Sequence, residues 1–182
     1  MRAMAGAGKS AGQGRRAFAL LVTMVFLVLA PGTVAGYVPW WISHWRAHAP
    51  FQGFAILRII GAILIVAGVP VLLECFARFA LQGVGTPAPV FPTQHLVVRG
   101  FYRFVRNPMY VSLLAVLLGQ ALFFGNVHIL VYAGITWLII HLFVIGYEEP
   151  TLKRTFGTEY ETYKAHVPRW IPRMTPWSMG PE

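Results

Sequence analysis

From Asn107 to Tyr147 the chain runs for 41 residues without an Asp, Glu, Lys or Arg. A bilayer with a ~30 Å hydrocarbon core takes about 20 apolar residues per helical crossing, so this run is too long for one span and right for two. Gly125-Asn126 lies near its middle and is the natural turn, which divides it into spans at 108–124 and 127–147. Two other blocks behave alike. Ala17–Ile42 is free of charge for 26 residues, and Phe54–Leu73 has 20 residues with Arg58 alone near its start. The expected fold is therefore all-α. It is a polytopic membrane helical bundle of about four transmembrane helices, at about 17–42, 54–73, 108–124 and 127–147, with a cytoplasmic C-terminal helix in the polar tail 148–182. Residues 1–16, small and polar, read as a disordered cytoplasmic N-terminus, and 17–182 as a single membrane domain.

Composition closes off the alternatives. Charged residues make up 12% of the chain, about half the ~25% of soluble domains. That excludes a soluble globule, a disordered chain and an acidic partner protein. The net charge is +9. The basic residues flank apolar blocks, so membrane lipids rather than nucleic acid are the expected anionic partner. Thirteen Lys and Arg fall in segments 1–16, 74–106 and 148–182, against Arg46 alone in the loop after the first span and Arg58 within the second. By the positive-inside rule both termini are cytoplasmic in an integral, multi-pass protein. Thr33-Val34-Ala35 imitates a signal-peptide cleavage site, but the 26-residue run exceeds the ~7–15-residue core of a signal peptide and reads as a retained span. Cys75 is the only cysteine, which leaves no intrachain disulfide and no multi-cysteine zinc site. His44, His48, His128, His141 and His166 show no pairing of the kind a metal needs. Arg58 and Glu74, near the ends of the second span, read as snorkelling side chains.

Chemistry concentrates between His95 and Arg173. Asn107-Pro108 is a good helix start, with Asn as cap and Pro in the first turn. Arg99, Arg103 and Arg106 suit positive-inside anchors. Glu148-Glu149 before Pro150 suits the N-terminus of a new helix. Leu152, Phe156, Tyr160 and Tyr163 share helical spacing. The hairpin 108–147 brings its two ends together, however, and so places Arg106-Asn107-Pro108 near Glu148-Glu149. An arginine, a helix N-terminus, two carboxylates and several tyrosines then share one pocket at the membrane edge. Helix N–H groups suit an anion, and carboxylates suit an ammonium or ribose hydroxyls. A zwitterionic nucleoside such as S-adenosylmethionine offers all of these groups, though chemistry alone does not single it out.

These blocks resemble a known family. His95-Leu96-Val97-Val98-Arg99-Gly100-Phe101-Tyr102, Arg106-Asn107-Pro108-Met109-Tyr110, Glu148-Glu149-Pro150-Thr151-Leu152, Phe156-Gly157-Thr158-Glu159-Tyr160, Tyr163 and Val167-Pro168-Arg169 are similar, in order and spacing, to the isoprenylcysteine carboxyl methyltransferases and phospholipid methyltransferases. The resemblance implies an integral membrane, S-adenosylmethionine-dependent methyltransferase acting on a lipophilic acceptor that arrives from the bilayer: an isoprenylcysteine carboxylate, a phospholipid amine or a thiol. It implies a cofactor site lined by His95, Leu96, Val97, Val98, Tyr102, Asn107, Pro108, Tyr110 and Glu148, with Arg106 and Glu149 in catalytic roles. Arg106 would orient an anionic group, and Glu149 would bind cofactor or act as a base toward an amine. Three departures stand out. Asn107 replaces the family's usual His, the stretch from His95 to Gly100 is one residue shorter than in the eukaryotic enzymes, and Val144 stands where those enzymes carry an Arg. A second reading from another class is a non-enzymatic membrane sensor or assembly subunit on the same scaffold.

Overall fold

The computed structural model describes residues 24–46, 55–82 and 96–178. The expected N-terminal segment 1–16, the first residues of the first span and His95 lie outside them. Among the described residues all regular structure is helical. Helix α1 is Met24–Ser43, α2 is Ala55–Gln82, α3 is Pro108–Phe124, α4 is Val127–Phe143 and α5 is Glu149–His166. Three helical stretches are long and apolar enough to cross a membrane, and α3 is a shorter apolar helix beside them. Its 17 residues span about 26 Å at ~1.5 Å per residue.

The hairpin turn forms as expected. Gly125 closes α3 in the left-handed conformation at φ 64°, a region glycine enters without a Cβ penalty. Asn126 then caps α4, its Oδ1 accepting from the N–H groups of His128 (2.9 Å) and Ile129 (3.3 Å). Arg58 does more than snorkel. Its Nε donates to Phe123 O at 3.3 Å and its guanidinium lies over the Phe123 ring, so the start of α2 caps the last turn of α3.

Helices α2 and α3 are antiparallel and approach closely through small residues. A Cβ added to Gly61 would lie 2.7 Å from Gly119 O, one added to Gly119 would lie 2.8 Å from Gly61 O, and one at Gly68 would meet Val116 Cγ2 at 2.9 Å. In lipid no hydrophobic force drives helices together, so close van der Waals approach at such small residues supplies the adhesion. Leu72, Phe76 and Leu113 form the buried centre, with Phe26, Leu27, Met109 and Ile140 packed around it. The opposite faces expose Ile59, Ile63 and Val66 of α2 and Val131, Ile135, Ile139 and Leu142 of α4, as a lipid-facing surface must.

Helix α1 is held to this pair by polar contacts. Pro39 has no N–H to give Ala35 O, four residues back. Gln120 Nε2 takes that carbonyl at 2.7 Å, and Tyr132 OH donates to Val34 O at 3.1 Å. Both carbonyls lie in a π-helical turn, Thr33–Tyr37. In a bilayer each freed carbonyl needs such a partner.

Two boundaries differ from expectation. Helix α2 continues to Gln82 instead of stopping near residue 73, with Glu74 and Arg78 paired one turn apart along it. The helix outlasts its apolar segment. Likewise α4 does not end at Tyr147. It continues through a π turn, Val144–Glu148, into α5. Pro150 cannot donate to the carbonyl four residues behind it, and the widened turn accommodates that gap in the ladder.

Candidate active site

The segment Leu96–Asn107 leads from α2 to α3, and residues 167–178 follow α5 back across it. Arg106 N–H donates to Pro168 O, Arg173 N–H to Phe104 O and Trp177 N–H to Arg103 O, each at 2.9 Å. These bonds bring the ends of α3, α4 and α5 into one cluster, the juxtaposition expected from the hairpin.

Arg106 and Glu149 meet there. Arg106 Nη1 lies 3.1 Å from Glu149 Oε1, and their side chains are only 9% and 11% exposed. The same nitrogen donates to Tyr160 OH at 3.2 Å. Arg169 grips Glu149 through two hydrogen bonds, Nε to Oε1 at 2.5 Å and Nη2 to Oε2 at 2.9 Å, and Lys164 Nζ stands 4.0 Å away. Burial alone would raise the Glu149 pKa. The Arg169 hydrogen bonds and the charges of Arg106, Arg169 and Lys164 outweigh burial and hold the carboxyl below its ordinary value.

Glu148 has a different environment. Its Oε2 accepts from Tyr110 OH at 3.2 Å. Burial and the neighbouring Glu149 charge push its pKa up, against the lowering effect of the tyrosine hydrogen bond. Adjacent carboxylates are thus driven in opposite directions, one clamped as an anion and one left to share a hydroxyl.

The remaining expected site residues surround this pair. Leu96 and Val98 pack with Leu152 and Phe156 against buried Tyr160, Tyr163 and Val167. Tyr163 OH donates to Tyr102 O at 2.7 Å. Val97 is half-buried and carries no part of that cluster. Pro108 is the first residue of α3, as expected. Asn107 is not its side-chain cap. It is buried, and its Nδ2 donates to Arg169 O at 3.2 Å, because the returning segment offers a carbonyl that the exposed start of a helix would lack. Gly157, at φ 52° and ψ −123°, kinks α5 and turns its second half to bring Tyr160 and Tyr163 inward. Val144, where eukaryotic relatives carry Arg, is fully buried at the start of the π turn.

Reasoning from sequence overlooked Arg169 as a partner of Glu149. The one signal was its place in Val167-Pro168-Arg169. Arg106 Nε is buried and has no hydrogen-bond partner among the described residues, so one strong donor of the cluster is left unspent. Among the described residues no three His, Cys, Asp or Glu converge as a metal site.

The helical fold and this charged cluster at one end of the bundle define a small integral membrane protein with a buried polar site. The model of the phospholipid methyltransferase family matches residues 56–159, and the chain belongs to that family of membrane methyltransferases. It is 43% identical over 63 residues to an uncharacterized protein of Haemophilus influenzae, a match that covers 35% of this chain and all of that protein. It is 36% identical over 78 residues to a Protein-S-isoprenylcysteine O-methyltransferase of Schizosaccharomyces pombe, covering 42% of this chain and 33% of that enzyme. The chain thus matches about one third of the length of the yeast relative.

Proposed function

We propose that the protein transfers a methyl group from S-adenosylmethionine to a lipophilic acceptor that reaches the site from the bilayer, with both termini in the cytoplasm. The observation that carries this reading is the meeting of Arg106, Tyr110, Glu148 and Glu149 at one end of the helical hairpin in a member of this family. The donor set suits the cofactor. Glu148 is a carboxylate for an ammonium or a ribose hydroxyl, and the unspent Arg106 Nε is a donor for a carboxylate. His95, Leu96, Val97, Val98, Tyr102, Asn107, Pro108 and Tyr110 complete the cofactor site by resemblance.

When bound, S-adenosylmethionine supplies an electrophilic methyl on a sulfonium. The chain contributes position and field. Arg106 orients an anionic group, and Glu149, paired with Arg106 and Arg169, fixes that guanidinium. Carrying three cations, Glu149 is a weak proton acceptor, which favours acceptors that attack as anions over amines that must first lose a proton. The buried cluster keeps water from the reacting atoms, so fixed charges act at low dielectric.

Calorimetric titration of S-adenosylmethionine into the protein in lipid nanodiscs tests the reading. Glu148→Ala leaves a polar ligand group unpaired, a cost of ~1–3 kcal/mol, or about 5- to 150-fold in affinity. Unchanged affinity in a folded variant removes Glu148 from the site. Absence of binding by the wild type favours the non-enzymatic scaffold. Where binding is found, labelled methyl appearing in a solvent-extractable product reports the acceptor class.

A further inference from the structure

The segment after α5 leaves the cytoplasmic cluster, runs along α4 and returns. Val167 is buried with Tyr160 and Tyr163. Three residues later Trp170 Nε1 donates to His141 Nδ1 at 3.1 Å, and His141 is itself stacked on Trp137 of α4. Trp177 then stacks on His166 and packs against Tyr163, back in the cytoplasmic cluster.

The depth of the lowest point follows from the sequence. His141 lies six residues before Tyr147, the last residue of the charge-free run, which is ~9 Å along a helix. Trp170 therefore reaches a level inside the apolar boundary of α4. The residues beside it are apolar and uncovered. Ile171 is 79% exposed and Met174 96%. Leu138 and Leu142, on α4 to either side of His141 in sequence, are exposed as well. The charged neighbours are turned the other way, Arg169 to Glu149 and Arg173 Nη1 to His166 O at 3.0 Å.

We propose that Trp170–Met174 is an interfacial anchor, with Ile171 and Met174 seated among lipid acyl chains at the headgroup boundary beside α4. Arg169 immediately precedes the anchor and holds Glu149, so lipid contact here also fixes one wall of the charged cluster. The inference rests on the membrane fold and stands whether or not the cluster transfers methyl groups.

Site-directed nitroxides test it. In a Cys75→Ala background, single cysteines at 171 and 174 are spin-labelled in nanodiscs of phosphatidylcholine with phosphatidylglycerol. Val131, on the exposed face of α4, and Glu159, on the exposed surface of α5, serve as lipid and water references. Labels at 171 and 174 should show an oxygen-to-nickel-chelate collision ratio several-fold above that at 159 and near that at 131. Values equal to those at 159 overturn the proposal. Should the background variant fail to fold, benzoylphenylalanine at 174 in the otherwise unaltered chain gives the same decision. Photocrosslinking to radiolabelled lipid supports the anchor, whereas crosslinking to a second copy of the chain, or to no lipid, overturns it.

Discussion

Glu149 meets three cations, and its neighbour Glu148 meets a tyrosine hydroxyl. The linkage follows from the direction of the Glu149 shift. A carboxyl whose folded pKa lies below its unfolded value of ~4.3 adds stability that is fully present above that value. The contribution is lost as pH falls through the folded pKa. Glu149→Gln should therefore lower the unfolding temperature at neutral pH, and the gap to wild type should close on acidification below about pH 4.3. Thermal unfolding in detergent across pH 3–7 measures this, and a gap constant with pH would show that the ion pairs add no net stability. At this scale the sequence was informative where neighbours are local. Gly125, which lacks a Cβ, and Asn126, whose Oδ1 caps the next helix, carry their turn chemistry locally. Arg169 and Asn107 do not. Their contacts depend on how the segment after α5 returns, 20 residues from Glu149 to Arg169 and 62 from Asn107 to the Arg169 carbonyl, and no local periodicity records that return.

The helices were legible because apolar runs have lengths that only spans explain, and α3 has the expected limits. Their continuations were not. Charge marks where the membrane ends, and a helix needs only its own backbone ladder to continue, as Glu74 and Arg78 show on α2. The contact between α2 and α3 is the element-scale feature most open to test. At Gly61 an added Cβ meets backbone atoms of Gly119 and Phe123, which cannot rotate away, so Gly61→Ala must separate the helices. We expect a loss of ~1–3 kcal/mol, as for other overpacked positions. Gly134 on α4 has open space around its Cβ position and helical geometry, so Gly134→Ala should be neutral or stabilising by up to ~1 kcal/mol. Unfolding by titration with a denaturing detergent ranks the two variants. Equal effects would mean that the close approach of α2 and α3 is not what limits stability.

At the scale of the molecule, the hairpin geometry and the charge distribution bear on the same question, which end of the bundle faces the cytoplasm. Gly61 lies against Gly119, and Arg58 reaches the Phe123 carbonyl, so the start of α2 and the end of α3 share one end of the bundle with the Gly125-Asn126 turn. The opposite end gathers the Arg106–Glu149 cluster and the segment 167–178. Segments 1–16, 74–106 and 148–182 hold thirteen of the fifteen Lys and Arg, and the described parts of the last two, 96–106 and 148–178, converge on the cluster end. Positive loops are retained in the cytoplasm, and on that rule we propose that the cluster faces that side. Topology reporters fused after residue 126 and after residue 182 should then report opposite compartments, periplasmic or external for the first and cytoplasmic for the second. Moving charge should move the outcome: adding three lysines at the Gly125-Asn126 turn should weaken the external signal of the first fusion. The same compartment for both unmodified fusions would mean that α3 and α4 do not cross as a pair, and the cluster could not then be assembled from their ends as argued above.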